Sequence, residues 1–171
     1  GSTSRVGSLR ATLDFDELLE ADVAIICVPT PLGKTKDPDV SYIVSAADNI
    51  AMRLHANMLV VLESTTYPGA TEEIIRPRLE AAEERKYEVG NDIYLVFSPE
   101  RVDPGRADWT ISNTPKVIGG VTARCGDMGV ALYESVVQQV VLVSSTKTAE
   151  MVKLLENTFR ATNIGLVNEM S

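Results

Sequence analysis

Five short apolar runs punctuate this chain, each set off from the next by a turn or a helix-forming stretch. Residues 22–28 read DVAIICV and stop at Pro29; 58–62 read MLVVL, 93–97 IYLVF, 116–118 KVI and 140–143 VVLV. Runs without polar alternation belong to strands covered on both faces, as in parallel sheets. Between them lie three helical stretches. Residues 40–54 have Ser41 available as a cap, 71–85 are rich in Glu and Arg, and 124–136 follow a Gly119-Gly120 turn. This order argues an α/β fold: an open parallel sheet with helices on its faces. At 171 residues, 44% hydrophobic and 23% charged, the chain has the composition of one globular domain, or one and a part, with a real core.

The last segment has another character. Over 149–170 no proline or strand signal intervenes, and Met151, Leu154, Leu155, Phe159 and Leu166 recur at helical spacing with the methyls of Thr158 and Thr162. Such a helix would run roughly 30 Å. No capping signal closes it at Met170-Ser171. At the other end, the first twenty residues hold neither the apolar strand nor the Gly-rich turn with which a doubly wound nucleotide-binding sheet opens. The expectation is a chain cut at both ends, with a partial sheet domain over 1–147 and the start of a long helix over 148–171.

A net charge of -8 makes nucleic acid and anionic membrane surfaces poor partners, so a phosphate site must be built locally. No run reaches transmembrane length and no signal peptide is evident. The two cysteines, Cys27 and Cys125, form no disulfide framework, which fits a reducing cytoplasm. Cys27 lies in an apolar run and is expected to be a buried, unreactive thiol. The single histidine, His55, has no ligand partner at zinc spacing, so no metal site is expected.

Ligands of open parallel sheets bind beyond the carboxyl ends of strands. The first run ends in Val28-Pro29-Thr30-Pro31, a stiff turn with a hydroxyl at its centre. The second ends in Glu63-Ser64-Thr65-Thr66-Tyr67-Pro68-Gly69, three adjacent hydroxyls and a turn before a helix start near Thr71. That helix start reads either as an anion site or as an ordinary Ser/Thr-capped junction. The third ends in Ser98-Pro99-Glu100-Arg101. Its carboxylate reads either as an acid/base group or as half of a solvated ion pair. In the long helix Lys153 and Asn157 share a face. They read either as oxyanion donors or as solvated side chains.

Taken in order, CVPTP (27–31), ESTTYPGAT (63–71), FSPERVDPG (97–105), KVIGG (116–120) and EMVKLLENTFRATNIGLVNEM (150–170) resemble the UDP-glucose/GDP-mannose dehydrogenase family over essentially all of 10–171. STTYPG and SPERVDPG look most like the branch acting on UDP-N-acetylhexosamines. The resemblance implies a Rossmann-like domain and NAD as cofactor. It implies oxidation of a nucleotide-sugar C6 alcohol through aldehyde and cysteine thioester to a carboxylate, with two hydride transfers. It places Val28, Pro29, Thr30, Ser64 and Thr65 with the dinucleotide, and gives Thr65 a catalytic water as well. Glu100 matches the carboxylate of acid/base work, Lys153 the lysine that stabilises oxyanion charge, and Asn157 the amide beside it. The role of Arg101 is left open. The long helix matches the one that joins two domains and packs a homodimer.

Three departures stand against the match. The Gly-rich fingerprint and the nucleophilic cysteine of the family have no counterpart here, and neither Cys27 nor Cys125 matches that cysteine. The acidic residue that closes the family's NE-x-x word is also replaced, by Ser171. The parent protein therefore reads as a dehydrogenase and this polypeptide alone as an inactive piece. The alternative is a non-catalytic module of partial sheet and dimer helix.

Overall fold

A computed structural model describes residues 10–31, 33, 38–81, 86–101 and 113–171. A 3-10 turn, Phe15–Glu20, leads into β1 (Val23–Ile26). Then follow α1 (Ser41–Ala51), β2 (Leu59–Leu62), a π-helical turn Thr71–Ile75 continuous with α2 (Arg76–Glu80), β3 (Tyr94–Phe97), β4 (Lys116–Gly120), α3 (Ala123–Glu134), β5 (Val140–Val143) and α4 (Thr146–Met170). The five apolar runs are the five strands, and they lie side by side in chain order, β1-β2-β3-β4-β5.

The α/β expectation holds, with flanking helices and the long C-terminal helix, but the sheet is mixed. β1, β2 and β3 are parallel to one another, and β4 is parallel to β5. β4 runs antiparallel to β3, with Phe97 opposite Gly119. Parallel pairing demands a crossover that returns the chain to the starting end of the sheet. The chain instead re-enters beside the end where β3 leaves, so Lys116 opens β4 next to the carboxyl ends of β1–β3. An apolar run carries no direction, and the reversal was not readable from it.

Burial on both faces is met by β2 and β3, whose residues are all buried, but not by the outer strands. β1 buries Ala24 and Ile26 against α1 and leaves Ile25 48% exposed, while in β5 Leu142 is also 48% exposed. Cys27 was expected to be buried in the first strand. It lies one residue past β1 and is exposed, because only one face of that strand is covered. Ser41 is not the cap of α1 but its first residue. The Asp39 carboxylate accepts from the Ser41 N–H at 2.9 Å, and hydrogen bonding from the Ser41 side chain and then from that N–H holds the Asp39 pKa below its usual range. The stretch 71–85 begins in the π turn and α2 as expected; residues 82–85 lie outside the described residues.

The Gly119-Gly120 pair explains why KVIGG is a strand rather than a turn. Successive strand residues face opposite sides of a sheet. A Cβ on Gly119 would meet the Ser145 carbonyl oxygen at 2.2 Å, and one on Gly120 would meet the Gly126 nitrogen at 2.3 Å. The N-terminus of α4 thus seats on one side of β4 and α3 on the other, each against backbone. Fully buried Leu62, Ile75, Leu79, Leu95, Phe97 and Ile118 fill the layers between, each contributing about 1.5–3 kcal/mol by removal from water.

Candidate functional site

Parallel β1, β2 and β3 deliver their carboxyl-end loops to one edge of the sheet, and antiparallel β4 begins there. Ser64 ties the first two loops together. Its hydroxyl accepts from the Val28 N–H at 2.8 Å and faces the Val28 carbonyl at 2.8 Å. The Glu63 N–H also donates to the Ile26 carbonyl at 3.1 Å. Ser64 is 6% exposed, so its hydroxyl is committed to the loop and shapes it from within. Val28 and Thr30 are half-buried beside it and Pro29 is exposed. Thr65 points outward and is exposed; Thr66 is buried, its hydroxyl without a partner among the described residues.

An anion site was one of the two readings of the helix start at Thr71. It does hold a carboxylate, and the carboxylate is the chain's own. Glu150, fully buried on α4, accepts from the Gly69 N–H at 2.5 Å, the Thr71 N–H at 2.9 Å and the Thr71 hydroxyl at 2.6 Å. Free N–H groups at a helix start favour a negative partner, and here they have one. Gly69 reaches this geometry at φ +108°, a region L side chains rarely enter.

Glu100 sits exposed just past β3, where its carboxylate accepts from the Arg101 N–H at 2.7 Å and lies 3.8 Å from the Lys116 ammonium. The Lys153 ammonium, half-buried on α4, donates to the Glu100 carbonyl. Lys153 and Glu100, far apart in sequence, therefore meet. Arg101, whose role the motif left open, has a structural one. Its guanidinium grips the Glu156 carboxylate with Nε at 3.1 Å and with a second nitrogen, and donates to the Pro115 carbonyl at 3.0 Å. Asn157 lies one residue beyond Glu156, exposed. The rest of the SPERVDPG word, Val102 to Gly105, lies outside the described residues.

Sequence reasoning missed a charged cluster beneath these loops. Glu63 pairs with Lys116 at 2.7 Å, accepts from the Tyr133 hydroxyl, and lies 3.5 Å from the Cys27 sulfur. The Lys116 ammonium also sits 4.9 Å from the Tyr133 ring centre, within cation–π range. Burial alone raises the Glu63 pKa, but hydrogen bonds from Lys116 and Tyr133 and the Lys116 charge reverse it and leave it lowered. Burial and then the Glu63 carboxylate hold the Tyr133 phenol far above its usual range. Partial burial and then the Glu63 charge raise Cys27. Its thiol is exposed yet disfavoured as thiolate, through the burial it does have and then through the Glu63 charge. A cavity of about 210 Å³ lies against Glu63, Glu100, Arg101, Lys116 and Tyr133. The signal available in the sequence was a charge abutting a fully apolar run, Glu63 after LVVL and Lys116 before VIGG.

Cys125 is buried in α3, where its sulfur accepts from the Leu95 N–H at 3.4 Å. The His55 ring nitrogens each lie 3.1 Å from a backbone carbonyl, of Ala56 and of Ala21. Among the described residues no three His, Cys, Asp or Glu side chains gather as metal ligands.

Hydroxyl-rich loops at the carboxyl ends of parallel strands, under a helix that brings a lysine to them, define an open α/β domain of the class that binds ligands at this edge. The chain belongs to the UDP-glucose/GDP-mannose dehydrogenase family: residues 2–137 match its NAD binding domain and residues 147–171 its central domain. The UDP-N-acetyl-D-mannosamine dehydrogenase of Pyrococcus horikoshii is 39% identical over 166 residues, covering 97% of this chain and 39% of its own length. The NDP-N-acetyl-D-galactosaminuronic acid dehydrogenase of Ralstonia nicotianae is 42% identical over 171 residues, covering 96% and 39%. The solved structure of the Pyrococcus horikoshii enzyme superposes with TM-score 0.83 at 41% identity, over 92% of this chain and 37% of that one. This chain thus spans about two-fifths of the length of the curated relatives it matches.

Proposed function

We propose that this chain is the dinucleotide-side portion of an NAD-dependent UDP-sugar 6-dehydrogenase, with a UDP-N-acetylhexosamine as the favoured substrate. The observation that carries the reading is the convergence of Thr65, Glu100 and Lys153 from three separate elements onto one sheet edge, with Lys153 bonded to the Glu100 carbonyl. The Val28–Pro29–Thr30 turn, fixed from within by Ser64, suits a dinucleotide: it offers backbone and a hydroxyl at a strand end without a competing charge. NAD bound there supplies the hydride acceptor. The chain's own residues do the rest. The outward Thr65 hydroxyl holds a water or substrate oxygen. The Glu100 carboxylate moves a proton at the sugar oxygen. The Lys153 ammonium, with Asn157 further along the helix, stabilises negative charge developing on that oxygen.

In this reading residues 1–147 form the partial NAD domain and 148–171 open the central dimer helix. α4 supports a homodimer through its outward apolar row, where Leu155 is 66% exposed and Phe159 71%. The two unpaired cysteines favour a cytoplasmic setting. No helix among the described residues is long and apolar enough to cross a membrane.

The test is absorbance at 340 nm with UDP-N-acetylmannosamine or UDP-N-acetylglucosamine and NAD. The protein assayed is this chain joined to what its coding DNA specifies on either side. Turnover that falls at least about a hundredfold in Thr65→Ala, Glu100→Gln and Lys153→Ala supports the assignment. Variants as active as the parent overturn it. The 171-residue chain alone is expected to give no NADH, since these residues hold neither the Gly-rich turn that cradles the dinucleotide pyrophosphate nor the thiol for the second oxidation.

A further inference from the structure

The helix α4 is docked by its polar side. Thr146 donates to the Glu72 carboxylate at 2.7 Å, Glu150 accepts from Gly69 and Thr71, Lys153 donates to the Glu100 carbonyl, and Glu156 holds Arg101. At roughly 100° per residue these four side chains fall within about 120° of one another around the helix. Each hooks a different point on the loops after β2 and β3. The helix itself is fixed to the sheet independently of those loops, because Ala149 and Ser145 rest on the side of β4 that Gly119 leaves open.

Glu150 differs from the other three. It is the fully buried one, and its three donors all come from a segment that begins four residues after Thr65. The loop is pinned at Ser64, through Val28, and again at Gly69, through Glu150. Only Thr65, Thr66, Tyr67 and Pro68 lie between the pins. Proline restricts Pro68 and the residue before it, and Thr66 is buried. Little freedom remains for Thr65 except what the two pins allow.

We propose that Glu150 is a positioning residue: it sets where the Thr65 hydroxyl stands relative to Lys153, which rises from the same helix one turn later. The proposal rests on the dehydrogenase reading for the purpose of that alignment, and on the hydrogen bonds above for its existence. The carboxylate suits the task because it only accepts, and all of its partners donate. An amide in its place would aim N–H groups at another N–H.

The experiment reads loop position in the 171-residue chain with no dinucleotide or sugar present, so it can fail or succeed separately from the dehydrogenase assignment. Backbone and threonine-methyl NMR spectra are compared for the parent chain and Glu150→Ala, with the Leu59–Leu62 and Tyr94–Phe97 amides as the control for an intact sheet. The Thr65 signals are expected to move or broaden together with those of Gly69 and Thr71. Added formate, a small carboxylate able to fill the vacated site, is expected to return all three toward the parent positions saturably, where equal chloride does not. A rescue of this kind is not produced by a role in stability alone. Thr65 signals that stay in place while Gly69 and Thr71 move overturn the proposal, as does formate that restores Gly69 but not Thr65. If Glu150→Ala does not fold, Glu150→Gln carries the test. One amide oxygen can still take the Thr71 donors, so Gly69 and Thr65 should shift and Thr71 less. An unmoved Thr65 refutes the proposal there too.

Discussion

Replacing Lys116 with methionine keeps the alkyl stem and deletes the charge that Glu63 relies on. The two side chains are 12% and 16% exposed and meet at 2.7 Å, closer to a buried pair than to a surface one. Exposed pairs contribute about 0–1 kcal/mol, whereas truncating one side of a buried pair costs about 3–5 kcal/mol. Glu63 would keep the Tyr133 hydroxyl and the Cys27 thiol as donors, so the cost falls at or just below the bottom of that range. We expect a loss of about 2–3 kcal/mol at pH 7, or roughly 4–12 °C in Tm for a chain of this size. The pH dependence carries the sharper test. Burial raises Glu63 from its ordinary value near 4.5, but Lys116 and Tyr133 bring it below that value. A carboxyl with a depressed folded pKa adds stability above its unfolded value and loses it as pH falls through the folded one. Without Lys116 most of that depression is gone. The gap between parent and variant should therefore be widest near neutrality and narrow as pH drops below about 4.5. Urea unfolding followed by circular dichroism at pH 7, 5 and 3.5 measures it. A gap that is the same at all three values, or under about 0.5 kcal/mol at pH 7, would refute the reasoning.

Other outcomes follow from the same structure. Glu63→Gln removes a negative charge that raises Cys27, so maleimide labelling of Cys27 at pH 7.5 should speed up, while buried Cys125 stays unlabelled until unfolding; an unchanged rate contradicts the electrostatic account. Gly119→Ala drives a Cβ into the Ser145 carbonyl oxygen, 2.2 Å away, and should cost roughly 1–3 kcal/mol in the denaturant midpoint. Thr66→Val removes a buried hydroxyl that has no partner among the described residues, and should leave Tm unchanged or raise it by the equivalent of up to about 1 kcal/mol. If α4 pairs with a second copy, Phe159→Asp should shift a dimer seen by light scattering to a monomer of 18.5 kDa.

The elements of the sheet could be read because each is local: an apolar run of four residues flanked by turns states its own identity. Direction could not, since the reversal of β4 depends on where a long connection re-enters, and nothing in KVIGG encodes that. The Gly119-Gly120 pair looked like turn chemistry because its real cause, two helices pressing on one strand from opposite sides, lies in residues 126, 145 and 149. Thr65, Glu100 and Lys153 were legible as candidates through motif words. The common edge of Thr65 and Glu100 was legible through the rule that parallel strands present their carboxyl ends together, whereas Lys153, on a helix, meets Glu100 only in the fold. What escaped was the set of charges that hold those loops: Glu63 with Lys116, Arg101 with Glu156, and Glu150 with Gly69 and Thr71.

The failure has a common form. A charged side chain in a sequence is read as solvated because most are. The exceptions are defined by partners fifty or more residues away, as with Arg101 and Glu156 or Glu63 and Lys116. α4 is seated by partners of this kind. Its apolar residues Met151 and Leu155 lie on the open side, roughly opposite the row of Thr146, Glu150 and Lys153 that seats it, and from Asn157 onward every residue of the helix is exposed, Phe159 and Leu166 among them. A helix normally buries its apolar stripe and exposes its charges. Here the polar row is answered by loops of this chain, so the apolar row is left for another surface. Amphipathic periodicity told correctly that the helix has two faces. Which face turns inward was decided by four hydrogen-bonded hooks, and those became visible only once the β2 and β3 loops were placed beneath them.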